Sequence, residues 1–177
     1  MRFVPYEYQR YCTEYIKTHP IAALFLDMGL GKTVITLSAI KDLMLETFEV
    51  SKVLIIAPLR VARDTWPAEI EKWDHLKGLD ISVIVGDVKT RIAAVHHPAM
   101  IYIVNRENIR WLVEYYEKNG MRWDFSMIVI DELSSFKNYQ SQRFKFLRKS
   151  PPVREAVGRI DRHTFFQRSH GPVGRDW

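Results

Sequence analysis

A glycine-containing turn between an apolar run and an amphipathic segment constrains this chain more than any other feature. It follows apolar residues 21–26, precedes a helical pattern over residues 32–46, and reads Asp27-Met28-Gly29-Leu30-Gly31-Lys32-Thr33. A buried strand, a tight turn and a helix N-terminus form a phosphate cradle, because glycine lets backbone N–H groups approach an anion and the helix terminus adds partial positive charge. We expect residues 28–33 to bind a nucleotide, with Lys32 on the β- and γ-phosphates and the Thr33 hydroxyl on Mg²⁺.

The match to the common pattern G-x-x-x-x-G-K-[ST] is incomplete, since its first glycine falls on Leu26. The alternative interpretation is a chance glycine turn beside an ordinary surface lysine. The order of strand, turn and helix favours the phosphate cradle.

Apolar runs alternate with amphipathic segments along the chain and predict its fold class. We expect strands at residues 21–28, 52–57, 80–85, 100–104 and 125–130, and helices within 3–17, 32–46, 62–73, 89–96 and 108–118. Strands that are apolar on both faces indicate a parallel sheet covered by helices on both sides. The prediction is a three-layer α/β domain with a mainly parallel central sheet. Right-handed crossovers place all the carboxyl ends of its strands at one edge, where ligands bind.

An acidic pair, Asp131-Glu132, follows the apolar run 127–130 and ends at that same edge. In nucleotide hydrolysis, one carboxylate holds Mg²⁺ and a second orients or deprotonates the attacking water. We therefore predict Asp131 as a metal ligand with Thr33, and Lys32, Asp131 and Glu132 as the catalytic residues. The alternative is a solvated turn. The upstream glycine–lysine loop favours one Mg-nucleotide site, with both groups facing the same triphosphate from adjoining strands.

Several stretches resemble one family, the superfamily-two helicase-like ATPases of the Swi/Snf branch. The turn at 27–33 looks like motif I, and the other stretches are Pro5-Tyr6-Glu7-Tyr8-Gln9, Ala57-Pro58-Leu59-Arg60, Val104-Asn105-Arg106-Glu107-Asn108 and Asp131-Glu132-Leu133-Ser134. The last stretch is similar to the DEAD/DEAH-type box of motif II, although Ser134 stands where a histidine is usual. The resemblance extends from residue 3 to about residue 149.

The resemblance implies a RecA-like P-loop NTPase domain over residues 1–149 that uses ATP and Mg²⁺. It implies that Gln9 recognises the adenine base and that Arg60, Asn105 and Arg106 contact a nucleic-acid backbone, which we expect to be that of double-stranded DNA. A surface or capping role is the alternative for each of those three residues. Two alternatives remain for the function of the whole chain: an RNA helicase domain, and a regulatory module that binds nucleotide but does not hydrolyse it. A small-molecule kinase is less well supported.

Composition supports a folded protein and predicts a cytoplasmic one. Hydrophobic residues make up 47% of the chain, which excludes a disordered protein, and the single cysteine, Cys12, allows no internal disulfide. There is neither an apolar run of membrane-spanning length nor a signal-peptide pattern at the N-terminus. We therefore expect no membrane association.

The net charge of +5 comes from the C-terminal residues. Residues 143–177 hold 9 Lys and Arg against 3 Asp and Glu, whereas residues 1–142 hold 17 against 18. We expect residues 150–177 to form an irregular basic tail that lacks both the sixth strand of the family and its motif III, Gly-Leu-Thr-Gly-Thr-Pro. A divergent or disordered tail is one interpretation.

A reading-frame shift near residue 150 is a sharper hypothesis for this tail. When codons permitted for Gly158 to Val173 are read one base later, the genetic code allows V-G-L-T-G-T-P-S-S-N-G-L-M-D-L-W, which contains motif III. The match shows that residues 158–173 are compatible with a shifted reading frame. Sequencing the encoding DNA would test the hypothesis.

A chain of this length has no room for the second RecA-like domain with which the family completes its catalytic cleft. Since that domain supplies a transition-state arginine worth about 10³–10⁵ in rate, we expect the chain alone to bind Mg-ATP but to hydrolyse little.

Overall fold

The computed structural model describes residues 1–131 and the backbone of residues 164–169. Within these residues the strands are β1 (Ile21–Leu26), β2 (Val53–Ala57), β3 (Ile81–Ile84), β4 (Ile101–Asn105), β5 (Met127–Asp131) and β6 (Thr164–Ser169). The α-helices are α1 (Glu7–Thr18), α2 (Lys32–Lys41), α3 (Trp66–Lys72), α4 (Val88–His96) and α5 (Ile109–Lys118). These bounds confirm the predicted alternation of strands and helices.

The described strands form one parallel sheet in the order β1-β6-β5-β2-β4-β3. In the central strand β2, Val53, Ile55 and Ala57 belong to one hydrophobic cluster, whereas Leu54 and Ile56 belong to another. The first cluster includes side chains of α1, α2 and α3, and the second includes side chains of α4 and α5. The three-layer α/β fold is therefore confirmed, with a helical layer over each face.

One prediction about the tail is wrong, because residues 164–169 form strand β6 between β1 and β5. Ile21 is in register with Thr164, and Ile128 pairs with the same residue from the other side. The sequence lacks the long apolar run expected of a central strand, but its Thr-Phe-Phe segment has the β-branched and aromatic residues that favour extended structure. The reading-frame hypothesis stays a prediction.

A π-helical turn, Val61–Thr65, precedes α3 and changes the helical register at Trp66. The Trp66 backbone N–H donates to the Val61 carbonyl, five residues back. Pro67 follows directly and has no N–H with which to continue a regular α-helical ladder. This arrangement sets the orientation of α3, which forms part of the site described next.

Candidate functional site

The loop between β1 and α2 has the backbone conformation that its glycines predict. Gly29 and Gly31 have φ of 84° and 75°, in the left-handed region that glycine adopts without strain. Gly31 is the N-cap of α2, so the helix begins at Lys32 and continues through Thr33. Backbone N–H groups at the start of a helix lack partners within the helix and can bind an anion.

The Lys32 side chain folds back over this loop. Its Nζ donates to the Leu26 carbonyl at 2.9 Å and to the Asp27 carbonyl at 2.8 Å. These two hydrogen bonds hold the ammonium group beside the start of α2, within the loop that the sequence predicts to bind phosphate.

Helix α1 is tied to the same loop through two side chains. Gln9 Nε2 donates to the Leu30 carbonyl at 3.4 Å, and the Tyr8 hydroxyl donates to that carbonyl at 3.2 Å. Gln9 Oε1 also accepts from the Tyr6 backbone N–H at 3.0 Å. A Cβ added to Gly31 would lie 2.7 Å from Gln9 Nε2, so the missing side chain is what lets Gln9 approach the loop.

A cavity of about 670 Å³ lies against the loop and α1. It brings together most of the residues predicted to bind nucleotide: Gln9, Gly29, Gly31, Lys32 and Thr33. Met28 and Leu30, which were also predicted, do not line the cavity; Met28 is 79% exposed and Leu30 contributes its carbonyl to the contacts with α1.

Part of the wall of this cavity consists of residues that sequence reasoning missed, including Phe3, Glu69, Lys72 and Trp73. Trp73 Nε1 donates to Glu69 Oε2 at 2.6 Å, and the Phe3 ring meets the Trp73 ring edge-on at 5.1 Å between centroids. Lys72 Nζ lies 4.6 Å from the centre of the Trp73 ring. The wall is therefore aromatic and ordered by polar contacts. Its one sequence signal is the Glu-Lys-Trp stretch at 71–73.

Asp131 ends β5 and is 9% exposed. Its Oδ2 accepts a hydrogen bond from Trp66 Nε1 at 3.2 Å. The strands are parallel, so Asp131 and the glycine loop lie at the same edge of the sheet, as predicted. They do not follow adjoining strands, because β6 separates β1 from β5, which puts these two strands about 10 Å apart. Glu132 lies outside the described residues.

The three residues predicted to contact nucleic acid differ in exposure. Arg60 is exposed just before the π-helical turn, and Arg106 is half-buried. Asn105 is buried, with its Nδ2 donating to Glu107 Oε2 at 2.8 Å and its Oδ1 accepting from Asn108 Nδ2 at 2.6 Å. The arrangement of Asn105 fits the alternative role, in which it organises the turn after β4.

Burial lowers the pKa of His75 below its usual range, and the charge of Lys41 acts in the same direction. His75 Nε2 lies 2.8 Å from Ser38 Oγ, and its ring stacks on Phe3 at 4.9 Å between centroids. Over residues 1–131, no group of three or more His, Cys, Asp or Glu side chains is arranged to hold a metal ion.

Comparison with known proteins identifies the family. The family model for the SNF2-related domain matches residues 11–151. The chain belongs to the SNF2-related domain family. It is 36% identical over 142 residues to protein p41 of Acyrthosiphon pisum secondary endosymbiont phage 1, covering 80% of this chain and 30% of p41.

A more distant relative of this SNF2-related domain is the chromodomain-helicase-DNA-binding protein 3 homolog of Caenorhabditis elegans. It is 32% identical over 148 residues, covering 72% of this chain and 8% of the relative. The Sulfolobus solfataricus SWI2/SNF2 ATPase core, solved in complex with double-stranded DNA, shares the fold with a TM-score of 0.63 and 22% identity. That match covers 94% of this chain and 32% of the archaeal one, so the chain spans about a third or less of these proteins.

Among the helices of the described residues, none combines the length and the hydrophobicity needed to cross a bilayer.

Proposed function

We propose that this SNF2-related domain is the Mg-ATP-binding half of a DNA-dependent ATPase motor. The observation that carries the proposal is the cavity of about 670 Å³ that Gln9 shares with Gly29, Gly31, Lys32 and Thr33. Its volume falls within the usual range of ligand pockets, about 300–1,000 Å³. Its lining combines the backbone donors and ammonium group that a phosphate chain requires with aromatic rings suited to a base.

The residues fit a bound nucleotide chemically. The backbone N–H groups after Gly31 would bind phosphate oxygens, and the Lys32 ammonium would exchange its two loop carbonyls for the β- and γ-phosphates. Thr33 and Asp131 would hold Mg²⁺, which neutralises charge on the phosphates when it is bound. Gln9, anchored between Tyr6 and Leu30, would face the adenine edge.

The proposed function includes ATP hydrolysis, in which Glu132 takes part. Glu132 directly follows Asp131, the last residue of β5, in the sequence. Its carboxylate would orient the attacking water. For the chain alone we propose slow turnover, because the transition-state arginine of such motors is worth about 10³–10⁵ in rate and comes from a second domain in this family.

The nucleic-acid partner is proposed to be double-stranded DNA, because two of the relatives are a DNA-binding helicase homolog and an ATPase core solved with DNA. Arg60 is the exposed cation best placed to contact a phosphate backbone, with Arg106 and Asn105 nearer the turn after β4. A cytoplasmic location is proposed on the composition of the chain. An RNA helicase domain and a regulatory module that binds but does not hydrolyse nucleotide are the competing functions.

The test is equilibrium binding of a fluorescent ATP analogue to the 177-residue chain, with and without Mg²⁺. Lys32→Ala should weaken binding at least tenfold, because an ammonium–phosphate contact is a charge-assisted hydrogen bond worth about 1.5–3 kcal/mol. The matched control is Lys41→Ala, which removes a half-buried lysine from the same helix that pairs instead with Glu46. Equal affinity in the wild type and Lys32→Ala would refute the nucleotide site.

The same preparation separates the competing functions. A motor domain should bind a DNA duplex, and its DNA affinity should differ between the nucleotide-free and nucleotide-bound states. A regulatory module should bind nucleotide without any change in affinity for DNA. Preference for an RNA duplex would favour the RNA helicase.

A further inference from the structure

We propose that Trp66 is a positioning residue that fixes the Asp131 carboxylate for Mg²⁺. This inference rests on the nucleotide site proposed above and adds a residue to which neither sequence reasoning nor the family comparison gives a functional role. It starts from the hydrogen bond between Trp66 Nε1 and Asp131 Oδ2 at 3.2 Å.

Both partners of this hydrogen bond are withdrawn from water. The Trp66 side chain is completely buried, at 0% exposure, and Asp131 is 9% exposed. An indole has a single N–H donor, and here that donor points at a carboxylate oxygen. Hydrogen bonds to an ionised acceptor are roughly twice as strong as neutral ones, and burial removes the competition with water. The carboxylate is therefore held by a rigid donor.

The fold explains why the indole has little freedom to move. Trp66 begins the helix α3 that follows β2, and β2 pairs directly with β5, so the fold brings Trp66 to the end of β5 although 65 positions separate it from Asp131. The π-helical turn and Pro67 fix the register of the helix at Trp66. The ring itself packs in the hydrophobic cluster beneath the sheet.

A metal ligand must be oriented as well as present. Outer-shell hydrogen bonds to metal-binding side chains hold them in position, and losing one typically costs about 10–100-fold in metal affinity or activity. A purely structural role for Trp66 would predict altered stability with unchanged response to Mg²⁺. The positioning role predicts a specific loss of that response.

The experiment measures the affinity of the full chain for a fluorescent ATP analogue as Mg²⁺ is titrated, with excess EDTA as the metal-free reference. Trp66→Phe keeps an aromatic ring in the core but removes the N–H donor. We expect the affinity of this variant for the ATP analogue in EDTA to stay within twofold of wild type. The Mg²⁺ concentration that gives half of the maximal increase in affinity should rise about tenfold or more.

The matched control is Trp123→Phe. Trp123 is 5% exposed, lies in the other hydrophobic cluster, and its Nε1 has no hydrogen-bond partner within the described residues. This variant should respond to Mg²⁺ as the wild type does. If Trp66→Phe also keeps the wild-type response, the positioning role is overturned.

Should Trp66→Phe fail to fold, as judged by circular dichroism, the same titration can use 3-benzothienylalanine at position 66, which replaces the N–H by sulfur in a ring of nearly the same shape. A wild-type chain that binds nucleotide but ignores Mg²⁺ would refute the inference and leave the nucleotide site standing. A wild-type chain that binds no nucleotide would refute both.

Discussion

At the scale of single residues, Gly31 combines two properties that only glycine can combine at its position. It adopts a left-handed φ of 75°, and its missing Cβ leaves space for the Gln9 amide. Gly29 shares the first property, with φ of 84°, but a Cβ there would meet nothing within 4 Å. Substitution of the two glycines therefore distinguishes the cost of backbone strain, which both positions share, from the cost of steric crowding, which arises only at Gly31.

Gly31→Ala should lower the free energy of unfolding more than Gly29→Ala does. Both variants carry the left-handed penalty, about 1–2 kcal/mol, whereas only Gly31→Ala displaces Gln9 and loses its hydrogen bonds, at about 1 kcal/mol more. Urea unfolding of the two variants measures the difference. Equal losses would show that the close approach of Gln9 contributes no stability.

At this scale the sequence predicts the placement of residues best where they are close together in the chain. The glycines, Lys32 and Thr33 lie within one continuous turn, and the structure joins them in one cavity with Gln9. The polar contacts of Trp66 and Trp73 could not be predicted, because they depend on how helices dock. The Trp66–Asp131 contact spans 65 positions, and no local pattern encodes it.

At the scale of secondary-structure elements, burial on both faces made strands β2, β4 and β5 predictable. In β2, every residue from Val53 to Ala57 is buried, so its sequence is apolar throughout. Strand β6 escaped prediction because Thr164–Ser169 is mixed in polarity, and only its pairing with β1 and β5 identifies it. Such a strand forms because it pairs with strands that are distant in the sequence, and its own residues do not predict it.

The helical segment after β2 has both buried and solvent-exposed residues, and its exposed arginine leads to a prediction about DNA binding. Trp66 is buried on it, whereas Arg60 is exposed near its start. If Arg60 contacts a phosphate, Arg60→Ala should weaken binding of a DNA duplex and reduce the slope of log K against log salt by about 0.9. Fluorescence anisotropy at several salt concentrations measures both.

Arg122→Ala is the control for that measurement. Arg122 is also an exposed arginine, but it precedes β5 and so lies toward the amino-terminal edge of the sheet, opposite the candidate site. An equal change in slope for the two variants would mean that DNA binds through net charge rather than through Arg60.

At the scale of the whole molecule, the N-terminal segment, α2 and the region after α3 meet around His75. Its imidazole contacts Ser38 and stacks on Phe3, which also lines the nucleotide cavity. Burial is the main cause that lowers the His75 pKa, with Lys41 adding to it and Asp42 and Asp74 opposing it. The folded protein therefore favours the neutral ring.

This pKa shift predicts that the free energy of unfolding falls as the solution is acidified below about pH 6.5, the ordinary histidine value. In that range the unfolded chain takes up a proton that the folded chain resists, so unfolding is favoured by at most about 1.4 kcal/mol per pH unit for one group. The stabilisation is complete above pH 6.5 and declines until the folded-state pKa is passed. Urea unfolding between pH 5 and 7.5 measures the slope.

His75→Phe should flatten that slope, because phenylalanine keeps a ring to stack on Phe3 but cannot take up a proton. His97→Gln removes an exposed histidine and should leave the slope unchanged. If His75→Phe retains the wild-type dependence on pH, burial of His75 does not link protonation to folding.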